Sequence, residues 1–314
     1  SYLVSVGRAM LAEMGKVPGT LQSTVDAAIK TGNNMGIPVE DLIDTLEWLE
    51  EDLQDDLGDP AVEIPLNKTN VNILYTLNPR EPKFFPLSIS AMAKIFYAAG
   101  ESWTLSTGMY DVTNYAYYSG NMGEAREIAR RLHDEMLKVN ALTCVLAECG
   151  HGSRSFRWEG PNYLRNSYAF ETITSVELIS RYLRDGRIKL DSSLNKEGFT
   201  LHDPCNLVRS GGIFEEQRYI LKNAVNDFVE MKPYGYDNYC CGGGGGQLAM
   251  SEYGERRLKA GELKVRQIAD TGAATVVTPC HNCVDQLMQL NQVYKMNVKI
   301  KTLAEVVADA LVLK

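Results

Sequence analysis

Apolar positions along the chain follow two different rhythms. Early in the chain Leu42, Ile43, Leu46, Leu49, Leu53 and Leu57 recur at helical spacing. Residues 40–59 also hold ten acidic side chains and no basic one, which predicts a helix with one buried face and one solvated acidic face. Gly58-Asp59-Pro60 ends it. Past this point short β-rich runs alternate with longer helical ones, the pattern of parallel α/β units. Strands are predicted at 71–77, 142–147, 170–173, 198–202, 274–278 and 298–301. Helices are predicted at 87–99, 124–138, 174–184, 213–227, 247–270, 284–294 and 304–311.

The two halves of the α/β region share landmarks. Asn78-Pro79 matches Asp203-Pro204, Asn114-Tyr115 matches Asn238-Tyr239, and Val145 to Cys149 matches Val276 to Cys280. Thr174-Ser175-Val176-Glu177 matches Thr302-Leu303-Ala304-Glu305. Four matches in one order, at offsets of 124 to 131 residues, point to a duplicated domain. The expected organisation is a helical segment over 1–60, a first α/β domain over 61–190 and a second over 191–314.

Charge narrows the partners. A net charge of −8 without a basic patch argues against nucleic acid, and no apolar run has the length of a membrane span. Seven cysteines, five of them late in the chain, do not resemble a secreted disulfide framework, so a reducing cytoplasm is expected.

In the second half the cysteines follow Cys205-x34-Cys240-Cys241-x38-Cys280-x-x-Cys283. Cys205 follows a predicted strand, Cys280 follows another, and Cys240-Cys241 leads into five glycines. Ligands gather beyond the carboxyl ends of strands in open α/β sheets, so these three segments are expected on one edge. Adjacent side chains of an extended chain point apart, so Cys240 and Cys241 reach one centre only where the backbone bends. Glycine permits that bend, and Gly242, Gly243 and Gly244 are expected to turn N–H donors toward the ligand. Helices starting after Gly246 and Cys283 are expected to add the positive ends of their dipoles. Thiolates select an iron–sulfur cluster or zinc, and five exceed what structural zinc requires. A glycine linker beside unrelated buried cysteines is the third alternative. In the first half the matching positions are Arg80, Ala116, Tyr117, Cys149 and Gly152, so that copy keeps one cysteine of five. Cys149 is a candidate for a further ligand or thiol relay. His281, His202 and His151 are candidates for moving a proton, and Arg154 and Arg209 for holding a substrate carboxylate.

The motifs Asp203-Pro204-Cys205, Asn238-Tyr239-Cys240-Cys241-Gly242-Gly243 and Thr278-Pro279-Cys280-His281-Asn282-Cys283 resemble the cysteine-rich CCG domain of heterodisulfide reductase catalytic subunits. Asp111-Val112-Thr113-Asn114-Tyr115 and Glu148-Cys149-Gly150-His151 make the chain most similar to heterodisulfide-reductase-like iron–sulfur subunits of membrane electron-transfer complexes in sulfate reducers. The resemblance implies two tandem Rossmann-like CCG repeats with parallel sheets related by pseudo-twofold symmetry. It implies a noncubane [4Fe–4S] cluster held by Cys205, Cys240, Cys241, Cys280 and Cys283. It also implies an oxidoreductase acting on a small heterodisulfide, or on the disulfide or trisulfide of a small carrier protein. Implied partners are a ferredoxin-type cluster module and membrane cytochrome or quinone-interacting subunits, with the chain cytoplasmic and peripheral on that complex. The chain departs from the pattern in its depleted first copy, and it has no Cys-x-x-Cys-x-x-Cys-x-x-x-Cys module. With Ser1 at the start, a fragment following a ferredoxin module is expected. Two rival readings are a quinone-linked electron relay of the lactate, glycolate or succinate oxidation type, and a zinc-stabilised docking module.

Overall fold

The computed structural model describes residues 2–313, and among these residues eight short strands form. They are β1 (Ile73–Tyr75), β2 (Trp103–Thr104), β3 (Thr143–Leu146), β4 (Glu171–Thr174), β5 (Gly198–Leu201), β6 (Asp227–Phe228), β7 (Thr275–Val277) and β8 (Lys299–Lys301). They make two four-stranded sheets with the same order, β2-β1-β3-β4 and β6-β5-β7-β8, parallel throughout. Equivalent registers recur: Ile73 pairs with Thr143 in one sheet, and Phe199 with Thr275 in the other. Central strands are buried on both faces, as helical crossovers require.

Matching helix starts carry matching chemistry. Thr174 caps the helix Ser175–Arg184 and Thr302 caps Leu303–Asp309, each in a reciprocal capping box with a glutamate, Glu177 or Glu305. The halves pack by exchanging these equivalents. Helix Leu87–Ala99, after β1, meets Leu303–Asp309, while Glu215–Ala224, after β5, meets Ser175–Arg184. Such reciprocal contacts are those of a pseudo-twofold axis. One apolar core crosses the junction through Ile89, Phe96, Val176, Ile220, Leu303 and Val307.

Three helices precede the sheets: Tyr2–Glu13, Gly19–Thr31 and Val39–Leu57. Leu42, Leu46, Leu49 and Leu53 of the third enter the shared core, and its acidic face stays outside. Leu21, Val25 and Ala28 of the second join Met250 in a separate cluster. Among the described residues no helix is long and apolar enough to cross a membrane.

One predicted element is different. Residues 247–270 do not form one helix. Two 3-10 turns, Gly245–Ala249 and Ser251–Tyr253, lead to the helices Gly254–Ala260 and Glu262–Ala269. Gly261 stands at the break, packed so closely that a Cβ there would stand 2.6 Å from Leu290 and 3.0 Å from the Cys241 carbonyl oxygen. The edge strands β2 and β6, two residues each, are too short to show a periodicity in the sequence.

Candidate metal centre

Strand order reverses around β5 and β7, so the loops leaving their carboxyl ends diverge and open a crevice. β5 runs into Asp203-Pro204-Cys205, and β7 into Cys280. Asp203 ties the third segment to these two. Its carboxylate accepts two hydrogen bonds from Arg218, each 2.9 Å, and one from the Gly235 N–H at 2.7 Å. Asn238 Nδ2 donates to its carbonyl at 2.7 Å. The Cys205 loop and the Cys240-Cys241 segment are thereby held together. Arg209 is spent on the same task, donating to the Tyr236 and Asn238 carbonyls, and Arg154 pairs with Glu159 at 2.6 Å.

All five cysteines line a single cavity. Cys241, Cys280 and Cys283 are buried, Cys205 is half-buried and Cys240 is exposed. Cys241 Sγ lies 3.5 Å from Cys283 Sγ. The thiols share protons: a hydrogen bond from Cys205 holds the Cys240 thiol well below its ordinary value and pushes Cys205 up. Cys280 is the N-cap of the helix His281–Tyr294, which begins three residues earlier than the periodicity predicts. The Cys283 thiol, and then the N–H groups of Gly150, Cys283 and Asn282, hold Cys280 down at about 7.

Gly243, Gly244 and Gly245 border the cavity, and Gly242 supports it from behind. The Gly242 N–H donates to Cys240 Sγ at 3.4 Å. Its φ is +87°, and a Cβ there would lie 2.8 Å from Gly261 N and 2.9 Å from Arg257 O. Gly245 passes so close to the first unit that a Cβ would overlap the Tyr118 hydroxyl at 1.8 Å. These glycines are close-approach backbone.

No α-helix begins at Gly246, so its expected dipole is missing. A buried lysine outside the motifs supplies positive charge instead. Lys264 Nζ donates to Asn238 Oδ1 at 2.7 Å, behind the thiols, and burial lowers its pKa only to about 8. Its signal in the sequence is a lysine among the apolar positions of 263–268, Leu263, Val265 and Ile268.

The remaining candidates divide. His202 is buried with neither ring nitrogen hydrogen-bonded, and a ring nitrogen and the sulfurs of Cys241 and Cys283 lie within 4.8 Å of one another. Burial keeps it neutral, far below its ordinary pKa. His281 uses both ring nitrogens on the first unit, Nδ1 with the Glu148 carbonyl at 2.9 Å and Nε2 with Ser88 Oγ at 3.0 Å. Cys149 stands where Cys280 stands in the other unit, and its sulfur accepts from Gly152 N at 3.2 Å and Asn78 Nδ2 at 3.3 Å. It does not border the cavity, whereas its neighbours Gly150 and His151 do, together with Tyr118. The first unit therefore forms one wall of the second unit's site.

The donor set fits an iron–sulfur group. Five soft ligands surround one space, with backbone N–H groups, a helix N-terminus and a buried cation to offset their charge.

Residues 199–288 match the family described as the cysteine-rich domain, CCG. The chain is 32% identical to a component of the dihydromethanophenazine:CoB–CoM heterodisulfide reductase of Methanosarcina acetivorans, over 60% of this chain and 45% of that protein. It is 25% identical to the Hdr-like menaquinol oxidoreductase iron-sulfur subunit 2 of Archaeoglobus fulgidus, over 98% of this chain and 62% of that protein. It is 28% identical to the EtfAB:quinone oxidoreductase of Syntrophomonas wolfei, over 43% of this chain and 18% of that protein. The chain thus spans about half the length of the first two relatives. Its second α/β unit carries a cysteine-rich CCG domain, in a chain similar to a heterodisulfide reductase component and to Hdr-like iron–sulfur subunits.

Proposed function

We propose that the chain is an iron–sulfur oxidoreductase subunit that binds one noncubane [4Fe–4S] cluster and acts on a disulfide-type sulfur substrate. The convergence of Cys205, Cys240, Cys241, Cys280 and Cys283 on one cavity carries the reading. When bound, the cluster supplies one-electron transfer and an iron open to sulfur. The chain's own residues do the rest: Gly242 and Gly243 N–H groups hold thiolate charge, Lys264 offsets it, and the first unit closes the cavity. His202 is the histidine placed beside the thiols, while His281 and Cys149 serve to join and brace the units. Reducing the S–S bond of a small heterodisulfide, or of a carrier-protein disulfide or trisulfide, takes two electrons and two protons. A ferredoxin-type module and quinone-interacting membrane subunits are the proposed electron partners, with this chain peripheral on the cytoplasmic side.

A quinone-linked relay is the second reading, favoured by the quinone and menaquinol named in two of the relatives. Electron paramagnetic resonance of an anaerobic, oxidised sample separates the two. Added thiol changes the signal if sulfur binds at the cluster. A cluster signal that excess thiol leaves unaltered would assign the chain to relay alone.

A further inference from the structure

The first α/β unit has kept its sheet while retaining one of the five cysteine positions, yet it still faces the thiols. Two of its side chains do so, Tyr118 and His151, whose rings stack at 4.5 Å and 25°. Tyr118 is fixed from its other sides by Tyr115 and Tyr117, and by the backbone of Gly245 and Gly246.

The hydrogen bonding of His151 is one-sided. Its Nε2 accepts the backbone N–H of Asn114 at 3.1 Å, which places the proton of the neutral ring on Nδ1. Nδ1 is buried and has no partner in the protein. An unpaired buried donor is destabilising, and here it belongs to a ring on the cavity wall. Asn114, which sets the tautomer, occupies the position matching Asn238, the residue that holds the cysteine segment in the other unit. The depleted copy has therefore kept its framework and left an unpaired N–H donor on a ring that lines the same cavity as the five thiols.

We propose that His151 is a ligand-binding residue of the second unit's site, its Nδ1–H donating to a thiolate sulfur seated in the cavity, with Tyr118 holding the ring in place. The ligand class follows from the chemistry. A neutral N–H is a directional donor, and a thiolate is a far better acceptor than a thiol or a disulfide, so the wall selects the reduced, anionic sulfur. The inference rests on the iron–sulfur reading of the site.

The test is a titration of the anaerobic full chain with 2-mercaptoethanol, followed by the change in its paramagnetic signal. His151→Phe keeps the stack and loses the donor. It should retain wild-type iron content and thiol-free spectrum, while the half-effect thiol concentration rises about tenfold, or about 1.4 kcal/mol. His151→Asn, which can place an amide N–H near the Nδ1 position, should return to within about threefold of wild type. A half-effect concentration unchanged in His151→Phe at full iron content overturns the proposal. If His151→Phe loses iron, the comparison of His151→Asn with His151→Gln decides: equal thiol dependence in the two overturns it, and a weaker response in the Gln variant supports it. Wild-type protein without an iron–sulfur spectrum would instead refute the underlying reading of the site. A wild-type cluster indifferent to thiol would leave that cluster assignment standing and overturn the role of His151.

Discussion

Replacing Gly242 by alanine tests whether the glycine run is structural support for the thiols. Two effects combine at this position. A φ of +87° is left-handed backbone, costing an L-residue about 1–2 kcal/mol. The new Cβ would also stand 2.8 Å from Gly261 N, 2.9 Å from Arg257 O and 3.0 Å from Ala260 C. These are backbone atoms where one helix ends and the next begins, so no side chain can swing away, and overpacking adds about 1–3 kcal/mol. The expected loss is about 2–5 kcal/mol, borne by the stretch of chain that presents Cys240 and Cys241. Gly272→Ala is the control, because Gly272 has φ of +66° and nothing within 4 Å of a Cβ. Urea unfolding under anaerobic conditions, with iron content measured on the same samples, reads both effects. Gly242→Ala should lose stability well beyond the control and bind less iron. Equal stability in the two variants, with iron intact in Gly242→Ala, would refute the packing argument.

Two further expectations concern the junction of the units. Arg80 and Asp285 form an ion pair across it, with both side chains largely buried, and a double-mutant cycle on urea unfolding should return a coupling of about 1–3 kcal/mol. Zero coupling would mean that the pair does not join the units. Glu81, which accepts the Asn78 N–H at 2.8 Å, is lifted by burial from an ordinary value of 4.5 to about 8. Between those values the folded chain keeps a proton that the unfolded chain has released, so this group's contribution is full below about 4.5 and is lost as pH rises to about 8. Glu81→Gln should therefore gain stability relative to wild type between about pH 5 and pH 8, and a constant difference in urea midpoint would contradict the shift.

The cysteine constellation was legible in the sequence because each member sits at a fixed place in a repeated α/β plan. Cys205 and Cys280 follow central strands, where apolar runs are long enough to recognise. Matched dipeptides such as Asn78-Pro79 and Asp203-Pro204 revealed the duplication, and the shared sheet order and twin capping boxes are its structural counterpart. What escaped depends on contacts between segments far apart in the chain. The helix is interrupted at Gly261, where Leu290 and the Cys241 carbonyl leave no room for a side chain, and helical periodicity carries no trace of that close packing. A glycine within the predicted helix was the available hint. Lys264 shows in the sequence only as a lysine among apolar positions, and a buried lysine there makes sense only once the thiols near it are known. His151 is among the candidates the sequence offers, whereas its stacking on Tyr118 at the cavity wall comes from the packing of one unit on the other.

The assignment of one iron–sulfur cluster to the five thiols is tested by iron and acid-labile sulfide per chain, measured on anaerobically prepared wild type and on Cys283→Ser. Wild type should hold about four of each, and the variant should lose most of both, because Cys283 is one of the five thiols that line the single cavity proposed to hold the cluster. One zinc per chain without iron in wild type, or wild-type iron and sulfide in Cys283→Ser, would contradict it.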